Sequence, residues 1–210
     1  NYIAKLPSWE KHVWAAYNIV PEGKVSAELL ASQVRTQPAS THAVEDLLFK
    51  VMRKLERDFH QKLDVDLFSY DINDIELSQQ ISRFISTDRA SLLRLAKELV
   101  RIFTDRLNVK ALRNISNHKD KEKLGSNKLL QDIVAQETGD DNAYKIFGVI
   151  IGVYDMRLGD AHPTSSKIGD ALNLAGIDEN KSFLRQGEQL ISNFGQAIWH
   201  IGQSIFRKSE

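Results

Sequence analysis

Apolar residues recur along most of this chain at steps of three and four. The stretch "SLLRLAKELVRIFTDRL" sets Leu92, Leu95, Leu99, Phe103 and Leu107 on one stripe, the spacing of an amphipathic helix, with Thr87 and Asp88 ahead of it as capping residues. Leu184, Leu190, Ile191, Phe194, Ile198, Ile201 and Ile205 make a second stripe over 181–206. The same rhythm predicts helices over 8–19, 26–36, 40–61, 74–86, 88–113, 126–137, 142–158 and 164–175. Three of these have their own start signals: Ser126, "ETGDDN" before 142, and "HPTS" before 164. Strand-like character is confined to a few residues around Leu67 to Ile72. The expected fold is all-α, an up-and-down helical bundle over 71–210 preceded by a smaller helical region over 1–70, with "LDVDLFSYDIND" joining them.

Composition narrows the picture by exclusion. Lys plus Arg and Asp plus Glu are 28 each in 210 residues, so no global positive field advertises a nucleic-acid or membrane partner, and a polyanion contact would have to be local. No cysteine is present, which removes disulfides and thiol catalysis and suits a reducing cytosol. No apolar run approaches the roughly 20 residues that span a bilayer, and the N-terminus lacks a signal-peptide pattern. The expectation is a soluble, cytoplasmic protein with no membrane partner. A chain opening on Asn1 rather than Met is expected to be a fragment or a processed product.

Arginine and histidine supply the candidate chemistry. Twelve arginines and six histidines yield four pairs with four to six residues between the partners, where about one is expected by chance: Arg35/His42, Arg53/His60, Arg113/His118 and Arg157/His162. Context separates them. In an unbroken helix a residue five positions on is turned by about 140° from the first, so a working pair needs a helix break. Arg53 and His60 sit in a continuous helical pattern, and Arg35 and His42 straddle the turn "TQPAS". In "MRLGDAHP", Arg157 falls in a last helical turn, Gly159 suits the C-terminal cap and Pro163 stops continuation, leaving His162 and Asp160 on a short loop. Arg113 is expected to end the helix that begins near Asp88, and "NISN" separates it from His118. If the helices at 88–113, 126–137 and 142–158 run up, down and up, both pairs meet at one end of the bundle, with Asn114, Asn117 and Asp160 beside them.

Arginine offers a planar fork of donors for phosphate, and histidine moves protons near neutral pH. The combination suits RNA cleavage by the substrate's own 2′-hydroxyl, which needs no metal or other cofactor, and the sequence has no HExxH or clustered carboxylate motif. "RNISNH" and "RLGDAH" both resemble the Arg-x4-His signature of the HEPN superfamily of helical domains. "RLGDAHP" followed by "TSSKIGDALNLAGI" resembles the C-terminal HEPN-like domains of abortive-infection proteins. The resemblance covers residues 73 to 206. It implies a metal-independent endoribonuclease in a toxin or antiphage setting, acting on RNA as a homodimer. Arg157 and His162, or Arg113 and His118, would be catalytic, with Asp160, Asn114 and Asn117 as substrate contacts. Asn114 matches the polar residue the family places after its arginine; Leu158 departs from it, while Gly-Asp-Ala-His supports the second motif.

Two other readings stand beside this one. The first is a helical interaction or dimerisation module without catalysis, since an arginine at a helix C-terminus and a Gly-Asp turn before proline are also ordinary structural chemistry. The second is DNA binding by a helix-turn-helix over "VSAELLASQVRTQPASTHAVEDLLFKVMRKL", with Ser40 to Leu55 as recognition helix. Residues 21–62 carry seven basic and six acidic groups, little of the excess duplex binding requires, so a DNA partner is not expected. His12 between Trp9 and Trp14, and His200 beside Trp199, read as core or interface residues.

Overall fold

The computed structural model describes residues 5–16, 30–36, 43–69, 81–159 and 167–206. The chain is all-α. Its contacts divide it into two compact units, Asn1–Thr41 and His42–Glu210. In the first, α1 (Ser8–Ala16) begins after Pro7 with Trp9 and His12 exposed, and a π-helical turn spans Leu30–Val34.

The second unit holds α2 (Val44–Leu63), α3 (Arg89–Ile102), α4 (Val109–Ile115), α5 (Ser126–Thr138), α6 (Asp140–Gly159), α7 (Lys167–Leu174) and α8 (Phe183–Phe206). The division precedes α2 rather than falling at the expected 70/71. The reason is the stripe Leu48, Phe49, Met52, Leu55 and Phe59, whose burial is made against α8. The two helices run parallel. A Cβ on Gly195 would lie 3.6 Å from the Leu48 Cα, one on Gly202 3.2 Å from Leu55, and the Phe59 and Phe206 rings meet edge to face at 5.2 Å. The turn at 83–85 is tied to both: the Arg83 backbone N–H donates to Glu45 at 2.8 Å, and its guanidinium reaches Glu188 at 3.5 Å.

The helix expected over 88–113 is two helices. Asp88 caps α3, accepting from the Ser91 backbone N–H at 2.7 Å while its own N–H donates to the Ser91 hydroxyl at 2.9 Å, a reciprocal capping arrangement. The helix stops at Ile102. A tight turn at 104–106 follows, and Leu107 is extended and pairs with Phe68 as an isolated bridge: Ser69 N–H donates to Arg106 O at 2.9 Å and Asn108 N–H to Leu67 O at 2.8 Å. Asn108 then caps α4 by accepting from Ala111 N–H at 3.1 Å. All five residues of the predicted stripe are nevertheless buried, because the extended step delivers Leu107 to the same core. Phe103 sits at its centre, edge to face with Phe68 and Phe194 at 5.9 and 5.8 Å.

Two start signals work differently from expectation. Gly125, not Ser126, occupies the cap position of α5, and the Ser126 hydroxyl donates instead to Thr104 O at 3.2 Å. The α5–α6 connection is the single residue Gly139, with φ +82°. There the left-handed backbone favours glycine. "HPTS" and most of the 74–86 segment lie outside the described residues.

Candidate functional site

Helix α6 carries a candidate at each end. Arg157 lies in its last turn. Its Nη1 donates to both carboxylate oxygens of Asp105 at 2.9 and 3.0 Å, and the guanidinium lies 5.9 Å from the Tyr154 ring centroid, leaving the side chain about one-third exposed. Asp105 belongs to the turn that ends α3, so the C-terminal ends of α3 and α6 do meet, as the up-down-up arrangement expected. Asp160 and His162 lie outside the described residues.

Arg113 is not part of that meeting. It stands on the separate helix α4, where Nη2 donates to Glu122 O at 3.1 Å, Nη1 lies 3.8 Å from the Glu122 carboxylate, and Nε is enclosed with no hydrogen-bond partner among the described residues. The chain then climbs along α5. The Ser116 hydroxyl donates to Asp132 at 2.6 Å, the Asn117 amide to Gln136 at 3.0 Å, and Lys121 Nζ to Ser116 O at 3.0 Å. His118 Nδ1 accepts the Asp120 backbone N–H at 3.0 Å, so in the neutral ring Nε2 carries the proton. Asn114 is exposed on α4.

His118 lines an open groove of about 380 Å³ with Lys128, Gln131, Asp140, Asp141 and Tyr144. Those last three residues are the first turns of α6. From Asp140 to Arg157 the helix rises roughly 25 Å at 1.5 Å per residue. The expected single site containing both pairs is therefore corrected: His118 lies at one end of α6 and Arg157 at the other. The break of the 88–113 helix is the cause, since it lets α4 turn away along α5.

Of the remaining pairs, Arg53/His60 keeps its structural reading. Arg53 and His60 share the continuous helix α2, and His60 Nδ1 lies 3.0 Å from Asp66; His42 is outside the described residues. His200 and Trp199 are exposed and meet edge to face at 5.1 Å, which places them on the surface rather than in the core. Among the described residues no group of three or more His, Asp or Glu side chains is placed to hold a metal ion, and no helix is long and apolar enough to cross a membrane. The contact that sequence reasoning missed is Asp105 with Arg157, joined across 52 positions, a separation that no local spacing encodes. No protein-family model, curated protein or solved structure matches the chain.

Proposed function

We propose that the chain is a metal-independent HEPN-type endoribonuclease domain working through Arg157 and His162, in the cytoplasm of a bacterium and in a toxin or antiphage role. The observation that carries this is the placement of Arg157. Its planar fork is anchored by Asp105 on the last turn of a long helix, five residues ahead of His162, and it remains partly open to solvent. Nη1 is engaged, while the rest of the fork is the donor set a phosphate needs. In this chemistry the ribose 2′-oxygen forms a bond to the adjacent phosphorus and the 5′-oxygen leaves. His162 takes the 2′-hydroxyl proton or supplies one to the leaving oxygen, and Arg157 balances the charge of the crowded phosphorane. The products are a 2′,3′-cyclic phosphate and a 5′-hydroxyl. A homodimer would set two such ends along one RNA.

Arg113 and His118 are assigned away from catalysis in this reading, because Arg113 is spent on the Glu122 loop. Mixed RNA incubated with the protein in EDTA should be cut. Arg157→Ala and His162→Ala should lower the rate at least 100-fold, the scale of losing one transition-state donor, whereas Arg113→Ala and His118→Ala should keep cleavage within a few-fold when folded. Absence of cleavage by folded protein would overturn the proposal.

One observation favours the non-catalytic alternative. Val44, Leu48, Val51, Ile191 and Gly195 line an apolar groove of about 220 Å³ between α2 and α8, flanked by Leu47 and Trp199, each nearly half exposed. Such a surface suits protein contact. A folded, inactive protein whose self-association or partner binding is lost in Trp199→Ser would establish that reading.

A further inference from the structure

The balanced charge of the chain hides a local asymmetry. Residues 109–128, which make α4, the following loop and the start of α5, hold six Lys and Arg (110, 113, 119, 121, 123, 128) against Asp120 and Glu122. That is +4, in a chain whose net charge is zero. Arg113 and Lys123 are matched to Glu122 and Asp120, and Lys121 caps Ser116 O. Lys110, Lys119 and Lys128 are exposed, and among the described residues none of the three has a carboxylate partner.

The groove beside this ridge has two unlike walls. On one side are Lys128, whose Nζ donates to Gln131 at 3.1 Å, and His118, whose Nε2 is left as a donor, with Asp132 between them already accepting from Ser116 and Gln136. On the other are Asp140 and Asp141 at the start of α6, with Tyr144 next to them, 60% exposed. An exposed aromatic face at the foot of a cationic ridge is the pattern that holds a single strand, phosphates on the cations and a base stacked on the ring. The acidic wall repels phosphate and accepts hydrogen bonds from an exocyclic amine of a base. Gln131, also in the lining, can complete a base edge.

We propose that the groove between the 116–128 segment and the N-terminal turns of α6 binds single-stranded RNA. The backbone crosses Lys110, Lys119 and Lys128, and an unpaired, amine-bearing base stacks on Tyr144 and donates to Asp140 or Asp141. The choice of RNA rests on the proposed ribonuclease function. The geometry adds where the strand runs: Asp140 and Tyr144 lie roughly 20–25 Å along α6 from Arg157, while Lys128 is two residues from Ser126, whose hydroxyl donates to Thr104 O beside Asp105, so that one strand of a few nucleotides connects the groove with Arg157.

The test uses 2′-O-methyl dodecamers, which cannot be cut because the attacking hydroxyl is blocked. Oligocytidine and oligouridine are nearly isosteric and differ by the amine at C4. The full chain should bind oligocytidine several-fold more tightly, and log affinity should fall linearly with log salt. Changing Lys110, Lys119 and Lys128 together to Gln should weaken binding of both at least tenfold at low salt. It should also reduce the salt slope by about 2, at roughly 0.7 per phosphate contact on a single strand. The control Lys50→Gln/Lys181→Gln should change neither. Tyr144→Ala should lose about tenfold with the slope unchanged, and Tyr144→Phe should retain binding. Asp140→Asn/Asp141→Asn should bind both oligomers more tightly and bring their ratio to one.

Equal binding of the two oligomers by the unaltered chain, or a lysine triple variant matching its control, would overturn the proposal, as would no binding at all. Binding without cleavage of unmodified RNA overturns the ribonuclease reading alone. Cleavage that persists with this groove silent overturns the groove alone.

Discussion

The two ends of α6 are built on opposite principles. At the C-terminal end one arginine is held by a carboxylate 52 residues away, and α7 lies almost against the helix backbone. At the N-terminal end the chain leaves α5 through one glycine and opens a wide groove whose charged groups come from a neighbouring stretch of sequence. Fixing a guanidinium within fractions of an ångström requires long-range anchors. Gripping a flexible polyanion needs only local density of charge. Under the proposed function, catalysis would belong to the first end and strand binding to the second.

Two glycines one helical turn apart make the contrast measurable. A Cβ on Gly152 would stand 2.6 Å from Ala175 N and 2.8 Å from Ala171 O, whereas none of the neighbouring heavy atoms comes within 4 Å of a Cβ on Gly148. Gly152→Ala should therefore force α7 off α6 and cost about 1–3 kcal/mol, the range for overpacking. Gly148→Ala should be neutral or stabilise by up to about 1 kcal/mol through helix propensity. Denaturant midpoints give the sizes, and amide exchange should show the Gly152 variant losing protection in 167–175 while α5 keeps its own. Equal effects from both substitutions would erase the asymmetry along α6.

The same asymmetry decides what was legible in the sequence. The stripe at 92–107 and the 190–201 part of the second stripe are buried even where the backbone departs from expectation, because burial selects side chains while caps and turns select the path. Leu107 kept its place in the stripe through an extended step, and the signal for that step was Asn108, an N-cap three residues before Ala111. Leu184 broke the pattern: it is 41% exposed, since its side of α8 precedes the packing against α2. The polar chemistry was less readable. Arg113 was expected at the end of one long helix, and the bridge of Leu107 to Phe68 moved it to another. Asp105 carried no local cue at all, its role being created by helix packing.

Asp105 tests whether the C-terminal end depends on its anchor. Asp105→Asn keeps the shape and removes the charge opposite Arg157. The pair is partly exposed, so its loss should cost no more than about 1 kcal/mol of stability. Its effect on cleavage should be larger than on folding, with kcat falling several-fold while KM for RNA holds or drops, because an unpaired Arg157 attracts phosphate more strongly but points less consistently. A fall in stability with kcat unchanged would make the pair purely structural.

The smallest expected effect concerns Asp88, which belongs to neither end and so gives a baseline for the bundle. The Ser91 hydroxyl, then the Ser91 backbone N–H, hold its carboxyl below the ordinary value of an aspartate. A group whose folded pKa is depressed contributes stability that is present above its unfolded pKa and is lost as pH falls through the folded one. Unfolding midpoints from pH 7 down to pH 2 should thus decline partly through Asp88, and Asp88→Asn should flatten that portion of the profile. Asparagine is also a competent N-cap, so the two proteins should differ most near neutral pH and converge as the falling pH protonates the carboxyl. An unchanged acid profile in the variant would show that the cap at Asp88 contributes nothing through its charge.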